Sequence, residues 1–140
     1  MTRKNIQKAA ELEKGAYILS DSKTTPDIIL IATGSEVELV LAAQEELKQQ
    51  DIAARVVSMP SWELFEEQND SYKEKIFPAS IRKRLAVEAG SSLGWLRYVT
   101  DDGDVIGVNK FGESAPGEQV MAEYGFTVEN VIKKAKALLS

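Results

Sequence analysis

Thr33-Gly34-Ser35-Glu36 is the stretch best placed to meet a ligand. It follows the apolar run Asp27-Ile28-Ile29-Leu30-Ile31-Ala32-Thr33 and opens a helical pattern. In open α/β sheets, ligands collect where the carboxyl end of a strand meets a helix N-terminus, whose free N–H groups attract anions. A small anion or a nucleotide phosphate could therefore sit on Thr33, Gly34 and Ser35. A dinucleotide fingerprint needs G-x-G-x-x-G and an acid about 20 residues on. Here one glycine stands alone, and the next strand ends in Ser58-Met59. No G-x-x-x-x-G-K-[ST] occurs either, which excludes a P-loop. Glu36 and Glu38 put negative charge where a phosphate would sit, and Ser35 with Glu38 fits a capping box. Capping is the preferred role of the stretch, and anion binding is the alternative.

Other residues invite chemistry less strongly. Glu88 is an acid ending an apolar strand, Arg84-Leu85-Ala86-Val87-Glu88-Ala89. Buried acids are costly and often functional; an exposed acid capping the helix after Gly90 is the other reading. Arg82-Lys83-Arg84 is too short for a phosphate patch and reads as a solvated approach to that strand. Trp62, Trp95, Tyr98 and Phe111 could stack on bases, but without a basic groove they fit core or interface packing. Asp101-Asp102-Gly103-Asp104 lacks the spaced ligands and closing glutamate of a calcium loop and is expected to form a hairpin turn. "KFGESAPGEQV" (110–120) resembles an active-site loop, yet Ser114 can cap a helix and Pro116 fits its first turn.

Absent residues narrow the chemistry further. The chain of 140 residues has no histidine and no cysteine. A Ser-His-Asp triad, a thiolate nucleophile, disulfides and cysteine metal sites are all excluded. An independent hydrolase or transition-metal enzyme is not expected. Seventeen basic and 22 acidic residues leave a net charge of −5, which argues against general binding to nucleic acid or anionic membranes. No apolar run approaches the roughly 20 residues that cross a bilayer. The polar start Met1-Thr2-Arg3-Lys4-Asn5 has no signal-peptide core, so a cytoplasmic location is expected.

The elements that would position these residues follow from periodicity. Residues 1–26 read as an arm carrying a first edge strand, Gly15 to Leu19, and a turn-rich connection to Pro26. Residues 27–140 read as one domain. Asp27–Thr33, Ala53–Met59, Arg84–Ala89 and Val105–Val108 are strands. The first is apolar throughout, as suits a parallel sheet covered on both faces. The helix from Ser35 to about Asp51 carries Val37, Val40, Leu41 and Leu47 on one stripe. Ser61–Phe65 and Asp70–Phe77 are short helices, and Pro116–Tyr124 is a further helix. Thr127 caps the last helix, with Val128, Val131, Ile132, Ala135, Leu138 and Leu139 as its apolar stripe. Strand, helix and strand within 27–59 form a βαβ unit. The fold class is α/β: one three-layer, Rossmann-like domain with a mostly parallel, mixed sheet of about five strands.

Several stretches together resemble one family. "DIILIATGSEVELVLAAQEEL" (27–47), "ARVVSMPSWELFEEQ" (54–68), "YKEKIFP" (72–78), "RLAVEAG" (84–90) and "FGESAPGEQVMAEYGFTVENVIKKAKALL" (111–139) are similar in order and spacing to the C-terminal domain of transketolase. Thr2-Arg3-Lys4-Asn5 resembles the [ST]-R-Q-N segment that leads out of the family's middle domain, with Lys4 in place of the usual glutamine. By this resemblance Arg3 would help to hold the phosphate of a sugar-phosphate substrate, a task suited to a guanidinium.

The resemblance also implies what lies elsewhere. Transketolases hold thiamine diphosphate and a divalent cation, Mg2+ or Ca2+, between the N-terminal and middle domains of two subunits. No catalytic residue, cofactor or metal ligand is then expected in this chain. Its partners would be the remaining transketolase domains in a homodimer acting on sugar phosphates, and its role would be support of the fold and of the dimer. Packing between domains would fall to Trp95, Leu96 and Tyr98. The parent would be a transferase of the pentose phosphate pathway, and this chain alone would be inactive. A stand-alone module binding a small anion or nucleotide at Thr33–Glu36 is the second reading.

Overall fold

The computed structural model describes residues 14–32, 36–88, 96–99, 102–107 and 127–140. Five strands form one sheet: β1 (Tyr17–Ser20), β2 (Ile28–Ala32), β3 (Ala54–Ser58), β4 (Arg84–Glu88) and β5 (Asp104–Gly107). Their spatial order is β1-β3-β2-β4-β5. β1 runs antiparallel to β3 at one edge, and the other three pairings are parallel. The helices are α1 (Glu36–Gln49), α2 (Trp62–Glu66), α3 (Asp70–Ile76), α4 (Leu96–Val99) and α5 (Val128–Leu139).

The central strand shows why its sequence has no polar alternation. All five residues of β2 are buried, and successive side chains leave a strand on opposite faces. Ile28, Leu30 and Ala32 enter a core with Val40, Ala43 and Leu47 of α1 and Val131, Ile132 and Ala135 of α5. Ile29 and Ile31 enter a second core with Phe65 of α2, Ile76 of α3, and Tyr98 and Val99 of α4. Helices thus cover both faces, giving the three layers expected.

Local signals set the helix ends. Ser61, Asn69 and Thr127 accept hydrogen bonds from the N–H groups of Leu64, Tyr72 and Asn130, as N-caps do. α1 closes in a Schellman arrangement: Ile52 N–H donates to Leu47 O (3.0 Å) and Asp51 N–H to Lys48 O (3.1 Å). Asp51 takes the left-handed position there with φ 63°. Gly15 has φ +84°, and a Cβ on it would lie 2.3 Å from Phe65 N and from Ser61 O.

Two expectations need correction. Asp102-Gly103-Asp104 is not a hairpin turn, because β4 and β5 are parallel and α4 lies between them; Asp101 lies outside the described residues. The turn instead passes from α4 into β5, and a Cβ on Gly103 would lie 2.3 Å from Arg84 O and Val99 O. Arg84 is not part of a solvated approach. It is the first residue of β4 and is only 6% exposed. The expected helix Pro116–Tyr124 lies outside the described residues.

Candidate functional site

The expected site is the carboxyl edge of the parallel sheet. There β2 ends at Ala32, β3 at Ser58, β4 at Glu88 and β5 at Gly107. Met59 N–H donates to Ala32 O at 3.0 Å and fastens the ends of the two middle strands together. Ser58 and Met59 are both buried. Glu88 pairs in register with Gly107. Thr33, Gly34 and Ser35, the candidate anion ligands, lie outside the described residues, as does Arg3. Glu36, the first residue of α1, is buried at 7% exposure. A carboxylate in the first turn complements the positive end of the helix dipole. The same charge opposes an incoming anion at that turn.

Behind this edge, on the α2–α4 face, the aromatic residues form an interior cluster. Phe65 meets Phe77 edge-on at 5.5 Å between ring centroids and Tyr98 at 6.0 Å. Trp62 lies 5.8 Å from Tyr98. The Tyr98 hydroxyl donates to Glu66 Oε2 at 3.1 Å, and the Tyr72 hydroxyl donates to Ala16 O at 2.6 Å. Packing, preferred from the sequence for Trp62 and Tyr98, is what they do. Tyr98, however, is only 4% exposed, so it belongs to the domain's own core and not to a face awaiting another domain. Trp95, Phe111 and the 110–120 stretch lie outside the described residues.

Arg84 organises the rim of this cluster. Its Nε donates to Ile81 O (2.9 Å), Nη1 to Tyr98 O (2.8 Å), and Nη2 to Pro78 O (2.9 Å) and Phe77 O (3.3 Å). The guanidinium also lies 5.3 Å from the centre of the Phe77 ring. One planar fork thereby ties the end of α3, the 78–81 loop and α4 to the start of β4. Burial pulls the guanidinium below its ordinary pKa, the charge of Arg82 adds to this, and Glu74 opposes it. Arg82 itself is exposed and donates to Asp102 Oδ2 at 2.6 Å. That hydrogen bond, with the Arg82 charge, holds the Asp102 carboxyl below its usual range.

These groups are committed to structure. Among the described residues no three His, Cys, Asp or Glu side chains converge as a metal-binding group. Nor is any helix among the described residues long and apolar enough to cross a membrane. The sequence reading missed Arg84 as a hub. Strand alternation carries the signal: Leu85 and Val87 face one core, so Arg84 shares the α2–α4 face with Ala86.

Comparison with known proteins gives the fold a context. A family model described as the transketolase-like TK C-terminal domain matches residues 15–127. Transketolase of Bacillus subtilis is 50% identical over 149 aligned positions, covering 100% of this chain and 22% of the relative. Transketolase of Geobacillus stearothermophilus is 53% identical over 129 positions, covering 91% of this chain and 19% of the relative. The solved structure of transketolase from Leishmania mexicana aligns with a TM-score of 0.82 at 35% identity, over 93% of this chain and 18% of that one. The chain thus spans about a fifth of the length of the curated relatives it matches.

Proposed function

Because the chain belongs to the transketolase-like C-terminal domain family, we propose that it serves as the non-catalytic C-terminal domain of a transketolase. The parent transferase would move a two-carbon ketol unit between sugar phosphates in the pentose phosphate pathway, in the cytoplasm. Thiamine diphosphate and Mg2+ or Ca2+ would be held by the parent's other domains, and the assembled enzyme would be a homodimer. Residues 1–26 would be the arm from the middle domain together with the first edge strand, and residues 27–140 the domain proper. Arg3 would reach the substrate phosphate only in that assembly.

The match of the family model to most of the chain carries this reading. The fate of the polar side chains supports it. Arg84, Asp102, Ser61, Asn69 and Thr127 are spent on cores, caps and turns, and the chain has no histidine to act as general base. The test is titration of the purified 140-residue chain with thiamine diphosphate and Mg2+ by calorimetry, with a ketol-transfer assay alongside. No cofactor binding and no transfer are expected from the chain alone, and transfer is expected when the preceding domains of a transketolase are joined to it. Micromolar cofactor binding by the chain alone would refute the proposal.

A further inference from the structure

We propose that the groove between the β1–β2 connection and the C-terminal half of α1 binds a phosphorylated polyol. The groove encloses about 350 Å3, enough for a small metabolite. Ala53 and Ala54 line it, which puts it at the amino ends of the parallel strands. It therefore lies at the opposite end of the sheet from Ala32, Ser58, Glu88 and Gly107, where those strands end.

Its walls are held in place without a ligand. Gln44 Nε2 donates to Ser20 O (3.2 Å) and Ala54 O (2.9 Å), joining α1 to β1 and β3. The Ser22 hydroxyl donates to Thr24 O, and Ser22 N–H donates to Asp21 Oδ1 at 2.9 Å, shaping the opposite wall. Arg55 occupies the Asp21 carboxylate at 2.9 Å, so Asp21 does not compete for a ligand.

The remaining charges define the ligand. Lys23 stands on the β1–β2 connection and Lys48 on α1, and both line the groove. Neither has an ion-pair partner among the described residues, and the same holds for the Glu45 and Asp51 carboxylates. Two ammoniums against two carboxylates leave the groove near neutral, so a bare dianion gains little there. A polyamine is likewise repelled by the lysines. A nucleotide finds no aromatic side chain in the lining to stack on. A polyol phosphate satisfies all four groups: the ammoniums donate to phosphate oxygens, and the carboxylates accept from hydroxyls. The negative end of the α1 dipole lies beside Asp51 and favours hydroxyl donors there, while Lys48, in the same last turn, offsets it for the phosphate. Only the source of such a ligand, the parent's own sugar phosphates, rests on the proposed function.

The experiment titrates the 140-residue chain with ribose 5-phosphate, ribose and inorganic phosphate, by calorimetry and by amide shifts in 15N spectra. Ribose 5-phosphate is expected to bind at least about tenfold more tightly than either component, moving the amides of residues 21–24 and 44–48. Lys23→Met and Lys48→Met should each weaken it by about tenfold, the loss of one charge-assisted hydrogen bond. Both are exposed positions whose loss leaves the core intact, and Lys134→Met on α5 is the control that should change nothing. Equal affinity for inorganic phosphate and ribose 5-phosphate, or shifts confined to other surfaces, would overturn the site. Neither result touches the reading of the chain as a transketolase domain, because no ketol transfer is measured. Conversely, a domain that fails to restore transfer yet binds ribose 5-phosphate keeps the groove as a site.

Discussion

Arg84 shows how much one side chain can hold. Its fork serves four carbonyls, from Phe77, Pro78, Ile81 and Tyr98. Arg84→Met keeps most of the volume but strands those acceptors in a buried place. The expected cost is about 3 kcal/mol of unfolding free energy, measured by urea titration. Arg84→Lys keeps the charge but cannot bridge four acceptors from one plane, so it should also destabilise, by about 2 kcal/mol. A change below 0.5 kcal/mol in both would mean that the carbonyls find other partners. Its neighbour Arg82 tests the opposite case at the surface. The Asp102 carboxyl is depressed first by the hydrogen bond from Arg82. A depressed acid contributes stability above its unfolded pKa and loses it as pH falls through the folded value. Asp102→Asn should therefore flatten the fall of melting temperature below about pH 4, and salt should weaken the effect. An unchanged acid limb in Asp102→Asn at low salt would show that the pair contributes nothing. The sequence places Arg82 and Arg84 side by side in one basic run. Arg84 is the first residue of β4 and Arg82 lies just before the strand, so only the point where the strand begins, which its pairing with β2 sets, separates a solvated cation from a buried hub.

At the scale of elements, the helices were legible because their ends carry their own chemistry. Thr127 caps where a cap was expected, Ser61, read as the first residue of a short helix, is that helix's N-cap, and the α5 stripe of Val131, Ile132 and Ala135 is buried. Within the α1 stripe, Val40 and Leu47 are buried, while Val37 and Leu41 pack against the same core from its margin. The turn before β5 was misread because Asp-Asp-Gly-Asp fits a hairpin equally well; whether the next strand pairs parallel or antiparallel is a tertiary matter. Thr127→Ala should cost α5 about 1 kcal/mol. At the far end of α1, Asp51 is a poor choice for its place. It holds φ 63°, where glycine is at ease, and it sets a negative charge at the negative end of the dipole. Asp51→Gly should raise stability by about 1 kcal/mol, seen as a higher urea midpoint at unchanged slope. A lower midpoint would show that the carboxylate makes a compensating interaction.

For the whole molecule, sheet and layers were legible from the unbroken apolar run of β2, whereas the candidate site was not. Its residue types, threonine, glycine, serine and glutamate, serve capping and anion binding alike, and no histidine or cysteine breaks the tie. Family membership came from long stretches in fixed order, a signal spread over core, caps and turns. The groove at the other end of the sheet escaped notice because Gln44, Lys23 and Lys48 read as ordinary surface residues until the fold joins them. The same sheet also joins the two cores through one shared strand. Ile29 and Leu30 are adjacent, both fully buried, and feed opposite cores. If the shared strand couples the two cores, damage on either side must lower the stability of both. Ile29→Ala and Leu30→Ala should each cost about 3 kcal/mol, well within a total of roughly 5–15 kcal/mol for a domain. With Trp95→Phe leaving Trp62 as the only indole, fluorescence reports the α2–α4 face. α1 and α5, the two longest helices among the described residues, lie on the other face and contribute strongly to the far-UV circular dichroism. In both variants the two signals should share one urea midpoint. Separate midpoints, with Leu30→Ala moving the helical signal but not the fluorescence, would show instead that the two faces unfold independently.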